Sequence, residues 1–452
     1  MIYQNTTFEN PENQFAKAFK ELELGKILRK TGIRKVQGAS AYEVFQFLLL
    51  LVFQGKNLFR FLSSKHKEEA FSKNTYYRFL NESKYNWRKF LSLLVLTVTS
   101  AFGSLTRPER VKVLILDDSV IQRNRSKKVE LLAKIYDHVT HRFQKGFTLL
   151  TLGWSDGYSF VPVDFNILSS ANEDNRMQDV STKVDKRTNG YKRRKEAVLK
   201  KTEAAVLMVK NALATGIQAD YVLMDTWFTT EPMLRSILDT GLDVIGMVKQ
   251  MKQKYIYAGK EYTLPQLQKF IRHDTPGNIH GSIVVSTKKG IKVKIVFVRN
   301  RNKKSEWLYV LSTDIGLSDS EIIRIYGNRW SIEVFFKASK SLMKLGNEFQ
   351  GRSYDMMVSH TTIVFTRYTI LEWIRRNKND EKTFGELFYL FCDDIQDMDL
   401  TTALQSLMAL LVEHLNTVTA DITEVVKSKL QLWMASQASF IQAMFANLSW
   451  ES

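Results

Sequence analysis

The chain of 452 residues has one cysteine, Cys392, and six prolines. A single thiol excludes disulfides and cysteine-based zinc sites, and it fits a reducing compartment. In its apolar-acidic surroundings Cys392 reads as a small buried hydrophobe. No proline lies between residues 12 and 107 or after 276, so both stretches are open to uninterrupted helices. The N-terminal residues show no basic stretch followed by an apolar one, so no signal peptide is expected. The most apolar run, Val44 to Phe53, carries Gln46 and falls short of the ~20 residues of a membrane span. Low-complexity linkers and internal repeats are also missing. Acid is in deficit: 47 Asp and Glu stand against 65 Lys and Arg, a net charge of +18. That balance suggests a polyanionic partner, nucleic acid or an acidic membrane surface, and the short apolar run disfavours the membrane.

What is present is a folded-protein composition, 44% hydrophobic and 25% charged, in a chain long enough for two to four domains. Helices are expected over roughly 13–31, 40–62, 73–81 and 86–102. Ser40 and Glu43 are spaced as a capping box. The short basic and aromatic segment 72–80 reads either as a recognition helix or as core. After Pro108 the pattern turns to strand. Val111 to Leu116 runs into Asp117-Asp118-Ser119, and 147–153 and 158–168 are strands joined by the Trp154–Gly157 turn. Residues 183–201 hold nine basic and two acidic residues, a density suited to phosphates, with Arg193, Arg194 and Lys195 as candidate contacts. They lead into a helix over about 192–214. A strand at 221–224 then ends at Asp225, and a helix over 230–240 and a strand over 243–248 complete a βαβ step. Residues 249–315 are strand-rich. A helix over about 318–345 follows, then helices at 355–378, 383–395, 400–418 and 423–447.

The helix of 318–345 carries the densest chemistry. At about 100° per residue, Tyr326, Arg329, Glu333, Lys337 and Lys340 share a stripe roughly 60° wide and about 21 Å long. Ile332, Phe335 and Phe336 point away from it. Such a stripe is either a solvated face with ion pairs or a phosphate-facing surface around one carboxylate. Asp117, Asp225 and Glu333 are spaced 108 residues apart in each step. Two stand at ends of apolar strands, where an α/β sheet gathers its functional groups. Converging carboxylates repel unless cations neutralise them, and all-oxygen ligands favour Mg²⁺ or Mn²⁺. Two such ions suit phosphodiester chemistry. Asp118 is the alternative to Asp117, because adjacent strand residues point to opposite faces.

Tyr326-x2-Arg329-x3-Glu333-x6-Lys340, with Asp117 and Asp225 upstream, resembles the signature of DDE transposases of the insertion-sequence-four group. The resemblance spans about residues 110–350. It implies an α/β fold with an RNase H-like catalytic core (108–248 and 316–350), a β-rich insertion (249–315) and flanking helical regions (1–107 and 351–452). It implies that Asp117, Asp225 and Glu333 bind the metal ions while Tyr326, Arg329 and Lys340 position DNA, with Lys337 as a further candidate. Trp307 would stack on a flipped base or pack within the insertion. Expected partners are double-stranded DNA, both terminal inverted repeats and target, and a second protomer on DNA; the setting is the bacterial cytoplasm. The rival functions are a metal-dependent nuclease on the same core and a non-catalytic DNA-binding derivative.

Overall fold

The computed structural model describes residues 14–393 except 36, 65–70, 108–109, 138–139, 182–183, 251–252, 272–277, 301–302, 304–305, 349–350 and 379–380, and beyond them residues 428 and 432. The helix expected over 400–418, and that over 423–447 apart from residues 428 and 432, lie outside the described residues.

The chain begins with helices α1 (Gln14–Glu21), α2 (Leu24–Lys30), α3 (Ala41–Leu50), α4 (Leu58–Leu62), α5 (Lys73–Leu80) and α6 (Trp87–Leu105). Ser40 caps α3 as expected: its Oγ accepts from the Glu43 N–H at 3.1 Å, and the Glu43 carboxylate accepts from the Ser40 N–H at 2.9 Å. Two expected helices are each broken. Glu23 takes a left-handed φ of 49° between α1 and α2. A 3-10 turn, Leu51–Gln54, and Gly55 at φ 66° separate α3 from α4. α5 buries Tyr76, Phe79 and Leu80 and exposes Lys73, Asn74 and Arg78. α6 is long and apolar enough to cross a membrane. Its Phe90, Leu94, Val98 and Phe102 are fully buried, however, and it packs on β4 (Phe160–Leu168) and α13 (Tyr354–Lys378).

The remaining strands are β1 (Val113–Gln122), β2 (Ala133–Asp137), β3 (Arg142–Ser155), β5 (Tyr221–Met224), β6 (Asp243–Val248), β7 (Tyr255–Tyr257), β8 (Lys260–Tyr262), β9 (Ile279–Ser286), β10 (Lys292–Arg299) and β11 (Trp307–Ser312). All join one eleven-stranded sheet in the order β2-β3-β1-β5-β6-β11-β10-β9-β7-β8, with β4 also paired to β3. β1, β5 and β6 are parallel, and β3 and β4 are antiparallel to their neighbours. Between them lie α7 (Asn189–Glu196), α8 (Lys201–Thr215) and α9 (Glu231–Leu238), the last being the crossover from β5 to β6. This is the expected α/β, RNase H-like core. The strands of 249–315, with α10 (Leu264–Gln268), extend that same sheet, because β11 pairs antiparallel with β6. β1 and β3 are longer than the apolar pattern suggests, and β2 was not expected at all. The added residues of β1 and β3 are mostly polar, and β2 alternates buried and exposed residues with one face in solvent.

α11 (Asp319–Gly327) and α12 (Trp330–Ser341) occupy the stretch expected as one helix. α12 buries Ile332, Phe335 and Phe336. The Phe335 ring lies 5.3 Å from Phe160, 5.0 Å from Phe365 and 4.8 Å from Tyr368, clamping α12 to β4 and α13. Behind it, the fully buried Arg367 donates to the Leu49 carbonyl at 2.7 Å and to both Glu348 oxygens at 2.6 and 2.8 Å. One guanidinium thereby ties α13 to α3 and to the segment after α12. A cavity of about 260 Å³ opens between α6, α7 and α8 and takes in Arg88, Arg193 and Asn211.

Candidate active site

Register places the first two acids. The parallel ladder of β1 and β5 ends with Leu116 opposite Met224, so Asp117 and Asp225 follow side by side. Neighbouring strands lie about 4.8 Å apart. Asp117 lies within β1, whose later residues pair only with β3, whereas β5 stops at Met224. Asp225 turns the chain toward α9, its Oδ1 accepting the N–H groups of Trp227 at 3.0 Å and Phe228 at 3.2 Å.

The third acid comes from α12. The turn at Asn328 and Arg329 keeps helical dihedrals, so the stripe survives the break between α11 and α12. Arg329 donates to Asp117 Oδ2 at 3.2 Å and, through its other terminal nitrogen, to Glu333 Oε1. Lys340, two turns on, donates to Ser119 Oγ at 2.5 Å. The stripe therefore lies along β1. The Tyr326 hydroxyl is pushed up to about 12, by burial first and also by the charges of Asp225 and Asp117, against the pull of Arg329. Lys337 is exposed on the same helix.

Electrostatics set this group apart. Burial pushes the Asp117 carboxyl up to about 7; Arg329 and the Asp118 N–H oppose the shift, while Asp225 and Asp118 add to it. Burial also raises Asp225, against the N–H groups of Phe228 and Trp227. Like charges crowded in a half-dry place disfavour ionisation until a cation arrives. Asp118 points away from Arg329 and pairs with Lys201 of α8 at 2.9 Å, although its charge is still felt by Asp225. The Lys201 ammonium lies 4.0 Å from the centre of the half-exposed Trp227 ring.

Among the described residues, no three Asp, Glu, His or Cys side chains stand close enough to hold a metal ion. The guanidinium of Arg329 occupies the space between Asp117 and Glu333. It is a cation bound by two carboxylates, and the available donors are hard oxygens. That donor set fits a magnesium-type ion once the guanidinium moves aside.

Other candidates fall in different places. The reading of Arg193 and Arg194 as phosphate contacts is corrected by their burial, to 6% and 2% exposure. Arg194 is saturated by Glu130 and Asp355. Arg193 donates to the Phe165 carbonyl at 2.8 Å and lies over the Phe165 ring. Arg194 is enclosed by its two carboxylates, whereas Arg193 borders the cavity between α6, α7 and α8. Lys195 is exposed, its ammonium 5.3 Å from the Tyr191 ring. Trp307 is half-buried beside His280 and Arg299. β11 pairs Tyr309 with Val248, the last residue of β6, so Trp307 projects past the sheet edge that carries Asp225. Sequence reasoning missed Lys201 and Trp227 as neighbours of the acids. Lys201 closes the basic run, and Trp227 follows Asp225 by two residues, but the link between α8 and the end of β5 is purely spatial.

Residues 44–263 match the family model described as DDE superfamily endonuclease, and residues 197–370 match the one described as transposase DDE domain. The two matches support a DDE transposase family. They overlap over residues 197–263, which hold Asp225; Asp117 lies in the first match and Glu333 in the second. A transposase or endonuclease acting on DNA is the activity these families carry. No curated protein matches the chain.

Proposed function

We propose that this protein is a transposase of the insertion-sequence-four group, which binds the ends of its element, cuts the phosphodiester and joins the freed 3′-hydroxyl to target DNA. The observation that carries this reading is the shared guanidinium: Asp117, adjacent to Asp225 by register, is linked through Arg329 to Glu333. Asp117, Asp225 and Glu333 are the residues that hold divalent cations, two Mg²⁺ or Mn²⁺ ions. When bound, such ions neutralise the acids and the charge that develops on a phosphodiester under attack.

The chain's own residues do the positioning. Arg329, released from the acids, is a fork matched to a phosphate, and Lys340 adds a point charge farther along the same face. Tyr326, kept protonated by burial, is a hydrogen-bond donor to a phosphate oxygen. Lys337 and Lys195 are exposed cations for the DNA backbone. Trp307, on the edge of Asp225, offers an aromatic face for a displaced base. Synapsis of two ends calls for a dimer on DNA.

The test uses duplexes that carry the inverted repeats flanking this reading frame. Incubation in Mg²⁺ yields nicks at the repeat ends, and precleaved ends yield joined products in a target plasmid. Cutting without joining would make the protein a nuclease. Full cutting by Asp225→Asn would overturn the site.

A further inference from the structure

The hairpin of β2 and β3 presents a grid of two exposed rings, the exposed Lys134 and the half-buried Lys145. The register sets Tyr136 opposite Phe143 and Lys134 opposite Lys145. Cross-strand partners, and residues two apart on one strand, share a face, so all four side chains stand together. Tyr136 is 40% exposed and Phe143 63%, their rings meeting edge-on at 5.2 Å. The Lys134 ammonium lies 4.8 Å from the Phe143 ring centre. The opposite face of β2, Ala133, Ile135 and Asp137, is buried. This is where a strand normally keeps its large apolar groups, and the hairpin places two of them outside.

Charge and direction narrow what covers the grid. Residues 123–145 hold seven Lys and Arg, and their two acids, Glu130 and Asp137, are both buried. A second copy of such a surface would be repelled. β3 pairs Thr151 with Asp117 in an unbroken register down to Gly146. Thr151, Lys145 and Phe143 have the same parity, so the grid lies on the face of the sheet that Asp117 shares with α12. At about 3.4 Å per residue, Phe143 stands roughly 27 Å along β3 from Thr151, about eight base steps of duplex. Rings beside cations form a platform for unpaired bases, because a base within a duplex has no free face to stack on.

We infer that the Lys134–Tyr136–Phe143–Lys145 grid binds an unpaired stretch of the DNA strand that runs from the acid site. Bases stack on Tyr136 and Phe143, while Lys134 and Lys145 take the flanking phosphates. The inference rests on the chain being a DNA-acting transposase, yet its test needs no cleavage.

Fluorescence anisotropy on the full chain compares a mixed-sequence 20-nucleotide single strand with the corresponding duplex (lengths of about 20, chosen to span the site). Tyr136→Ser/Phe143→Ser is expected to weaken single-strand binding about tenfold or more and to change duplex binding by no more than about twofold. Lys134→Gln/Lys145→Gln lowers the salt slope for the single strand by about 1.4. Phe143→Trp keeps the ring and retains single-strand affinity, which separates loss of stacking from misfolding. Single-strand binding unchanged in the serine variant overturns the inference. So does equal weakening on both DNAs with Phe143→Trp behaving like serine, and so does a dimer that the serine variant splits while single-strand binding persists. A protein that binds the single strand through the grid but cuts nothing in Mg²⁺ or Mn²⁺ would sink the transposase reading alone. One that cuts and joins while its serine variant binds like the parent would sink the grid alone.

Discussion

Arg194 and Arg329 each bridge two carboxylates, and they differ in almost every other respect. Arg194 lies between Glu130 and Asp355 with four hydrogen bonds of 2.7–2.9 Å, and its side chain is 2% exposed. Arg329 lies between Asp117 and Glu333 with one bond to each, and its side chain is 18% exposed. Burial alone would raise Glu130, yet Arg194 and the N–H groups of Ser181 and Tyr354 outweigh it and hold this carboxyl low. Around Asp117 burial wins, and the acid is pushed up to about 7. The first cluster is complete as it stands and works as an internal tie. The second is less fully compensated and more exposed, which suits the cation site proposed for it.

The strongest way to break this comparison is Arg194→Ala. It strands two buried carboxylates and is expected to cost about 3–5 kcal/mol in urea unfolding. A loss below about 1 kcal/mol would mean the tie is as dispensable as a surface pair. Asp225→Asn and Glu333→Gln should do the reverse. DNA cleavage falls by about 10²–10³-fold or more, while the unfolding midpoint holds or rises because like-charge repulsion is relieved. A large stability loss in either variant would place the open cluster with the structural one.

Metal sharpens the contrast further. Added Mg²⁺ is expected to stabilise the parent protein by about 2.7 kcal/mol at a hundred times the Kd, read as a rise in Tm, and to leave Glu333→Gln almost unmoved. Without metal, Asp117 gives a pH signature. Its folded pKa lies above the ordinary 3.8, so between that value and about 7 the folded state holds a proton the unfolded chain has released. Stability of the metal-free protein therefore falls as pH rises through this window and levels off above about 7. The loss is about 1–2 kcal/mol after solvent screening, and Asp117→Asn reduces it. Smallest is Lys337→Ala: within about 0.5 kcal/mol of the parent in stability, with the salt slope of duplex binding lowered by about 0.9.

Much of the architecture was legible in the residue pattern. Apolar runs marked β5 and β6 end to end and the start of β1 to within two residues, and the Ser40–Glu43 spacing marked the start of α3. The stripe of Tyr326, Arg329, Glu333 and Lys340 was readable because helical periodicity is local. Breaks at Glu23 and at Gly55 were harder, since a left-handed residue interrupts a pattern that is apolar on both sides. The placement of 249–315 on the core sheet was not readable either, because strand pairing at β6 and β11 joins residues over sixty positions apart.

The clearest lesson lies in Arg193, Arg194 and Lys195, three successive cations in one basic run. Composition treats them alike, and packing does not: two are buried on the inner side of α7 and one is in water. By itself the sequence determined where acids, cations and rings fall along each helix and strand, since those periods depend only on near neighbours. The tertiary structure alone decided which arginine is sealed and which is open, and which of Asp117 and Asp118 faces Arg329. Burial and charge compensation are properties of what arrives from elsewhere in the chain, and Coulomb energies change severalfold between water and the interior.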